Sequence, residues 1–339
     1  MRHKTDGTIQ KDLDDGIDTI GKKMTVCQLY AKQIRHRGNV RYNTKNGRKR
    51  LMKLLEEDKL GGCPIDSVKL SDAKEWAIRM KEKGISYKTI SNDKRSLKAA
   101  FYTAIQDDCI RKNPFDFQLN TVIEDDTEPK VPLTPAQEES FLSFAQNDKV
   151  YQKYYDELII LLGTGLRISE LCGLTDTDID FENRIINVDH QLLRSAETGY
   201  YIETPKTKSG IRQIPMSEKV YEAFNRVLKR RRGAKAVTID GYSNFLFLNR
   251  DGYPKTATNY DGMFRGLAKK YNKYHEEALP KVMTPHTLRH TFCTNMANAG
   301  MNPKALQYIM GHSNITMTLN YYAHATFDSA KAEMLRIAA

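Results

Sequence analysis

The segment Val122–Pro135, VIEDDTEPKVPLTP, constrains the fold of this 339-residue chain more than any other. It holds three prolines and an acidic run, and it shows neither a helical nor a strand period. Such a stretch does not sit inside a regular element. Reading residues 121–134 as an interdomain linker leaves two parts, 22–120 and 135–339, each of ordinary domain length. Residues 1–21 are polar, spaced by glycines and aperiodic, and read as a tail or linker.

The part before the linker is helical throughout. Val26, Leu29, Tyr30 and Ile34 recur at helical spacing, and Leu51, Leu54 and Leu55 mark one side of a second helix, Gly47–Lys59. Ser71 is the expected N-cap of Asp72–Lys83, with Gly84 as its stop. Ser86 caps Tyr87–Asp107, whose Ile90, Leu97, Phe101 and Ile105 face inward. Together these predict a small four-helix bundle. Beyond the linker, Thr134-Pro135 opens a helix, and Tyr154–Leu162 forms an apolar one that stops at Gly163. The pattern then turns β-like at Arg184–His190, Tyr200–Thr204 and Ile211–Met216, with Gly199 and Ser209-Gly210 as turns. Helices resume at Ser217–Arg232. The expected fold is therefore mainly α with a small three-stranded antiparallel β-sheet: a helical bundle followed by a mixed α+β domain.

Charge separates the two parts as clearly as periodicity does. Residues 1–120 carry 26 Lys+Arg against 16 Asp+Glu, whereas residues 121–339 carry 27 against 26. Nearly all of the formal net +11 thus belongs to the helical bundle, as expected of a domain that seeks a polyanion such as nucleic acid. No run of about 18 apolar residues exists to cross a bilayer. The first 25 residues hold no apolar signal-peptide core. Five cysteines, odd in number and free of CxxC spacing, argue against a disulfide framework or a zinc site and point to a reducing bacterial cytoplasm.

Four segments can carry chemistry. In GTGLRISEL, two glycines break one helix, Arg167 stands at the mouth of the next, and Glu170 follows on the same face. Lys206 and Lys208 lie on a turn between predicted strands, where a flexible ammonium can donate a proton. In TPHTLRH, Thr284 and Pro285 start a helix that puts His286 and Arg289 on one face near the positive end of its dipole. In NPKALQYIMGHSNITMTLNYYAH, Gly311 ends a helix, His312 follows in the turn, and Tyr321 and Tyr322 come shortly after. Clustered carboxylates of the metal-nuclease kind, a Walker loop and HExxH are all missing from the sequence, so neither a metal nor another cofactor is expected. Two arginines, a lysine and two histidines around a phosphate, with a phenol to attack it, would neutralise charge with guanidinium groups and conserve bond energy in a phosphotyrosine.

These motifs, in this order, resemble the tyrosine recombinase (phage integrase) family, in particular the integrases of conjugative transposons. The resemblance runs through GTGLRISEL, TPKTKSGIRQIP, TPHTLRHTF and LQYIMGHSNITMTLNYYAH, and more weakly over the bundle, which it makes a core DNA-binding domain. It implies that Arg167, Arg289 and His312 bind the scissile phosphate. Tyr322 would attack to form a 3′-phosphotyrosyl link, Lys208 would protonate the departing 5′ oxygen, His286 would assist proton transfer at the tyrosine, and Glu170 would support Arg167. Lys208 is preferred to Lys206 for its place at the turn, and Tyr322 to Tyr321 because Tyr322-Ala323-His324 fits the family's Tyr-x-His pattern. The implied architecture is a C-shaped clamp on double-stranded DNA. A C-terminal helix around Phe327–Arg336 would dock on a neighbouring protomer, so that dimers to tetramers form on DNA, and an accessory excision protein can take part. Residues 1–21 are too few for the further arm-binding domain usual in transposon integrases, so arm-site binding is not expected of this chain.

The expected activity is site-specific cleavage and rejoining of DNA that integrates and excises a mobile element, independent of metal and ATP. A type IB topoisomerase-like nicking-closing enzyme shares the chemistry, and a non-catalytic DNA-binding regulator shares the fold. Because phosphate contacts made by the basic bundle would dominate affinity, binding to duplex DNA should weaken at least tenfold from about 50 to about 200 mM salt. A titration by fluorescence anisotropy showing no salt dependence would remove this role from the bundle.

Overall fold

The computed structural model describes residues 21–38, 40–128, 131–205, 207–231, 237–322 and 334–335. The chain divides into two compact units, residues 1–129 and 130–339.

The first unit is built on four helices: α1 (Val26–His36), α2 (Tyr42–Glu56), α3 (Leu70–Glu82) and α4 (Tyr87–Gln106). Thr25 starts α1 with a capping box, its side chain taking the Gln28 amide while Gln28 returns to the Thr25 amide. Ser86 caps α4 as the sequence indicates. Two helices differ in their bounds from expectation by more than one residue. Helix α2 begins five residues earlier, carrying Gly47 in its interior. Helix α3 begins at Leu70 because the Asp72 carboxylate, not Ser71, accepts the exposed Lys69 amide at 2.8 Å. The apolar stripes converge on Trp76, Phe101 and Phe115, all fully buried, with Leu29, Leu51, Leu55, Met80 and Leu97 around them.

The second unit begins with α5 (Pro135–Asn147), capped by Thr134, and α6 (Tyr155–Thr164), followed directly by α7 (Ile168–Gly173). Helix α6 runs past the expected stop at Gly163. Its turn comes at Gly165, whose φ of +63° is left-handed, and a Cβ there would lie 2.5 Å from the Phe292 ring.

The β region is not one sheet of three strands but two small antiparallel sheets. Strands β1 (Ile179–Asp180), β2 (Ile185–Val188) and β5 (Arg212–Pro215) form one, in the order β1-β2-β5. Strands β3 (Gln191–Ser195) and β4 (Gly199–Glu203) pair as a separate hairpin. The break falls at Asp189-His190. The His190 ring leaves the ladder to meet the Gly173 carbonyl at 2.8 Å, so the chain restarts as β3 and takes the 200–204 run as its own partner. Strand β1 is two residues long and too short to show a period.

Helices α8 (Glu218–Arg231), α9 (Ala257–Tyr274), α10 (Pro285–Asn298), α11 (Pro303–Met310) and α12 (Thr316–Leu319) complete the unit. Its main core gathers Phe141, Leu161, Leu171, Ile186, Ile214, Phe224, Phe245, Tyr260, Phe264 and Leu288. A satellite cluster of Phe292, Cys293, Ala297, Leu306 and Met310 lies beneath Tyr321 and Tyr322. The expected docking helix around Phe327–Arg336 lies outside the described residues except for Met334 and Leu335, which are helical and exposed.

Trp76 is the sole tryptophan and sits wholly within the first unit's core. Leu97→Ala should therefore lower the urea midpoint read by its fluorescence, by about 2–5 kcal/mol of stability, through the cavity it leaves beside α4. An unchanged midpoint would mean that Leu97 is not part of this core.

Candidate active site

The site is assembled at the ends of short helices. Arg167 is the N-cap residue of α7, with extended backbone, and Glu170 sits three residues in. The Glu170 carboxylate accepts the Arg167 amide at 2.8 Å through Oε2 and the Arg167 guanidinium at 2.7 Å through Oε1. One acidic residue thereby closes the start of α7 and fixes the arginine beside it.

The opposite wall is the C-terminus of α11. Helix ends leave carbonyls without intrahelical partners and carry the negative end of the dipole. Here three consecutive carbonyls each accept from a different arginine. Ile309 O takes Arg212 Nε at 2.6 Å, Met310 O takes Arg289 Nη2, and Gly311 O takes Arg167 Nη2 at 3.0 Å. Arg289 also donates through Nη1 to Gly165 O, the carbonyl of the left-handed turn before Arg167. Gly311 turns the chain with φ +61°, and a Cβ there would stand 3.0 Å from Ser209 O and 3.2 Å from Arg212. Only glycine lets the β4–β5 connection close against this helix end. His312 follows at once. It is buried, with Nδ1 3.0 Å from the Thr318 hydroxyl, and when that hydroxyl donates, the neutral ring keeps its proton on Nε2.

The charges set one another. Burial alone would raise the Glu170 carboxyl, but the Arg212 fork and the charges of Arg212, Arg167 and Arg289 outweigh it and hold it at about 2. Burial, and then the charges of Arg289, Arg167 and Arg212, push His312 down to about 4, so it is neutral at physiological pH. Burial and the Arg167 charge lower Arg289 to about 9, which leaves it cationic there.

The structure thus brings Arg167, Glu170, Arg289 and His312 together. Arg212, which sequence reasoning passed over, joins them. The missed signal is its position in IRQIP: Arg212 and Ile214 occupy the two inward positions of β5, so a charge stands where the period calls for an apolar residue. Lys208 is exposed on a short 3-10 turn, Lys208–Gly210, whose Gly210 carbonyl accepts from Arg212 at 3.2 Å. Lys206 lies outside the described residues. His286 is exposed on the first turn of α10, while Arg289, one turn on, is buried.

The two tyrosines differ. The Tyr322 hydroxyl donates to Met301 O at 2.5 Å, at the N-terminal side of α11. The arginines hold the other end of that helix, roughly 12 Å away for eight residues. The Tyr321 ring stands edge-on to His290 at 4.8 Å, next to Arg289; burial and then Cys293 raise its phenol, and the Arg289 charge opposes them without reversing the shift. Burial, then Cys293, raises the Tyr322 phenol, with no contribution from an arginine. Asp178, Asp189 and His190 form the one group of possible metal ligands among the described residues. Its donors are already engaged: His190 meets Gly173 O and Asp189, and Asp178 accepts twice from Thr175.

The phage integrase family model matches residues 132–329, more than half of the chain. The chain belongs to the phage integrase family of tyrosine recombinases. Over 97% of its length, and 81% of the relative's, this recombinase is 69% identical to the transposase from transposon Tn916 of Enterococcus faecalis. It is 27% identical to the tyrosine recombinase XerC of Bacillus subtilis, covering 78% of each chain. Among solved structures, the integrase of transposon Tn1549 in complex with a circular intermediate DNA matches with a TM-score of 0.89 and 78% identity, over 93% of this chain and 99% of that one. A lambda integrase dimer on a core site shares the fold, with a TM-score of 0.61 at 16% identity over 94% and 81% of the two chains. The recombinase is an enzyme that acts on DNA, mainly helical with small antiparallel sheets, as its motifs indicate.

Because the folded His312 titrates below its ordinary 6.5, the unfolded chain binds a proton between pH 6.5 and about 4 that the folded chain refuses. Stability should therefore fall as pH drops through that window, and His312→Gln should flatten the slope. Urea midpoints measured across the window check this, and equal slopes for the two proteins would contradict it.

Proposed function

We propose that this recombinase cuts and rejoins duplex DNA at defined sites by metal- and ATP-free transesterification, integrating and excising a transposon. The observation that carries the reading is the cluster of three guanidinium groups on the end of α11. Arg167 keeps 32% of its side chain accessible, so part of the positive field is open to a phosphate. Arg167, Arg289 and His312 hold the non-bridging oxygens. A phenol oxygen attacks phosphorus, the bond to the 5′ oxygen breaks, and Lys208 supplies the proton that makes it a hydroxyl. His286 assists the phenolic proton. The 5′ hydroxyl of a partner strand then reverses the step, so the number of phosphodiester bonds is unchanged and no nucleotide need be consumed.

For the nucleophile we favour Tyr321 over Tyr322, although the Tyr-x-His pattern points to the latter. Two observations support the choice. Tyr321 is the phenol beside His290 and Arg289, whereas the Tyr322 hydroxyl is held by Met301. Moreover, the solved Tn1549 integrase chains include one with a single arginine changed to lysine and one with a single tyrosine changed to phenylalanine. Those two positions have the separation of Arg167 and Tyr321 here.

Those complexes hold circular intermediate and transposon right end DNA, and ends of that kind are the substrates we assign to this chain. Assembly into dimers and tetramers through the C-terminal segment 327–336, and an accessory excision protein, belong to the same reading. All five cysteines are free thiols, as suits a reducing bacterial cytoplasm. No helix among the described residues is long and apolar enough to cross a membrane.

On a nicked suicide substrate carrying the element end, Tyr321→Phe should bind DNA but form no covalent adduct, while Tyr322→Phe still forms one. The adduct should survive EDTA. Loss of the adduct only in Tyr322→Phe would move the nucleophile by one residue, and a Mg²⁺ requirement would overturn the mechanism. Lys208→Ala and Lys206→Ala, assayed with a 5′-phosphorothiolate leaving group that needs no proton, identify the acid: the lysine whose loss that substrate rescues.

A further inference from the structure

Arg212 has no direct route to a DNA phosphate. Its side chain is fully buried, and four of its five N–H bonds are committed inside the protein. Nε donates to Ile309 O at 2.6 Å, Nη1 to Glu170 Oε1 at 3.0 Å and Gly210 O at 3.2 Å, and Nη2 to Glu170 Oε2 at 2.9 Å. Glu170, 3% exposed, is thus held by two arginines: the buried fork of Arg212 takes both of its oxygens, and the accessible Arg167 takes one.

We propose that Arg212 is a positioning residue of the strand-transfer reaction, which occupies Glu170 so that this carboxylate holds the Arg167 guanidinium by a single contact instead of capturing its whole fork. The inference rests on the reading that Arg167 binds the scissile phosphate. Arg212, Arg167 and Arg289 against Glu170 leave a net charge of +2 around the α11 terminus. A phosphodiester carries one negative charge, and its five-coordinate transition state carries close to two. The buried arginine therefore contributes the charge that makes the pocket match the transition state better than the ground state.

Without Arg212, Glu170 would keep two free acceptor sites and one cation to fill them. Arg167 would be drawn into a bidentate pair with it, the geometry that guanidinium and carboxylate prefer, and its remaining donors would turn away from DNA. The pocket would fall to +1. Removing the Glu170 charge in that background restores +2 and releases Arg167. The two substitutions should therefore correct one another, which two independent structural defects do not do.

The test is single-turnover cleavage by the full chain on the nicked element-end substrate, with DNA affinity measured in parallel. Arg212→Met should bind DNA within about threefold of the unaltered protein and cleave about 100-fold more slowly. Adding Glu170→Gln should raise that rate at least about tenfold, well above the product of the two single effects. A double variant as slow as Arg212→Met, or slower, overturns the proposal and leaves Arg212 a purely structural group. Should Arg212→Met not fold, Arg212→Lys carries the test, since it keeps the charge but frees one Glu170 oxygen: cleavage should slow, and adding Glu170→Gln should restore it, whereas a folded, DNA-binding Arg212→Lys that Glu170→Gln does not speed up contradicts the proposal. Absence of any adduct with the unaltered chain would instead remove the underlying reading, and this inference with it.

Discussion

The last carbonyls of α11 hold the site together. An eight-residue helix exposes its final carbonyls at the negative end of its dipole, and three arginines from three separate stretches of chain settle on three successive oxygens. Arg167 arrives from the start of α7, Arg212 from β5 and Arg289 from α10. One helix end therefore fixes the number and place of three positive charges. Gly311 makes this possible, since its left-handed turn brings His312 back to the cluster and leaves room for Arg212 and Ser209.

Three guanidinium groups in one buried place repel each other, and Glu170 offsets part of that repulsion. It accepts two bonds from Arg167 and two from Arg212, and it stays ionised far below its ordinary range. Burial, and then the same field, keep His312 neutral at physiological pH, so it is a hydrogen-bonding group rather than a fourth cation. The cluster thus has an open side, Arg167, and a closed side, Arg212. Burial, more than residue type, separates the partly accessible Arg167 from the enclosed Arg212.

Much of this was legible in the sequence because it depends on local rules. Thr134-Pro135, Thr284-Pro285 and Asn302-Pro303 mark helix starts, and Gly311 marks a helix end, because caps and left-handed turns leave their signature in a few adjacent residues. The pairing of Arg167 with Glu170 was readable for the same reason, being a three-residue spacing across a helix start. What local spacing could not give was convergence. That Arg212 shares the Glu170 carboxylate depends on β5 lying against both α7 and α11, contacts 42 and 97 positions apart in the chain. The division of the strands into two sheets escaped because His190 leaves its ladder for a distant carbonyl on α7. Between adjacent tyrosines, spacing to His324 favours one and packing against His290 favours the other, since the two side chains leave the turn after α12 toward different neighbours, His290 for Tyr321 and Met301 for Tyr322.

On the proposed function, the guanidinium groups on the α11 terminus act by neutralising the scissile phosphate. The direct measurement replaces that one phosphate by an uncharged methylphosphonate and follows covalent adduct formation by Arg289→Ala. With the substrate charge removed there is no longer a negative oxygen for Arg289 to balance, so the variant, inactive on phosphate, should recover adduct formation on the neutral linkage. Equal inactivity on both linkages, with DNA binding and fold intact, would show that the arginines serve some purpose other than charge neutralisation and would contradict it.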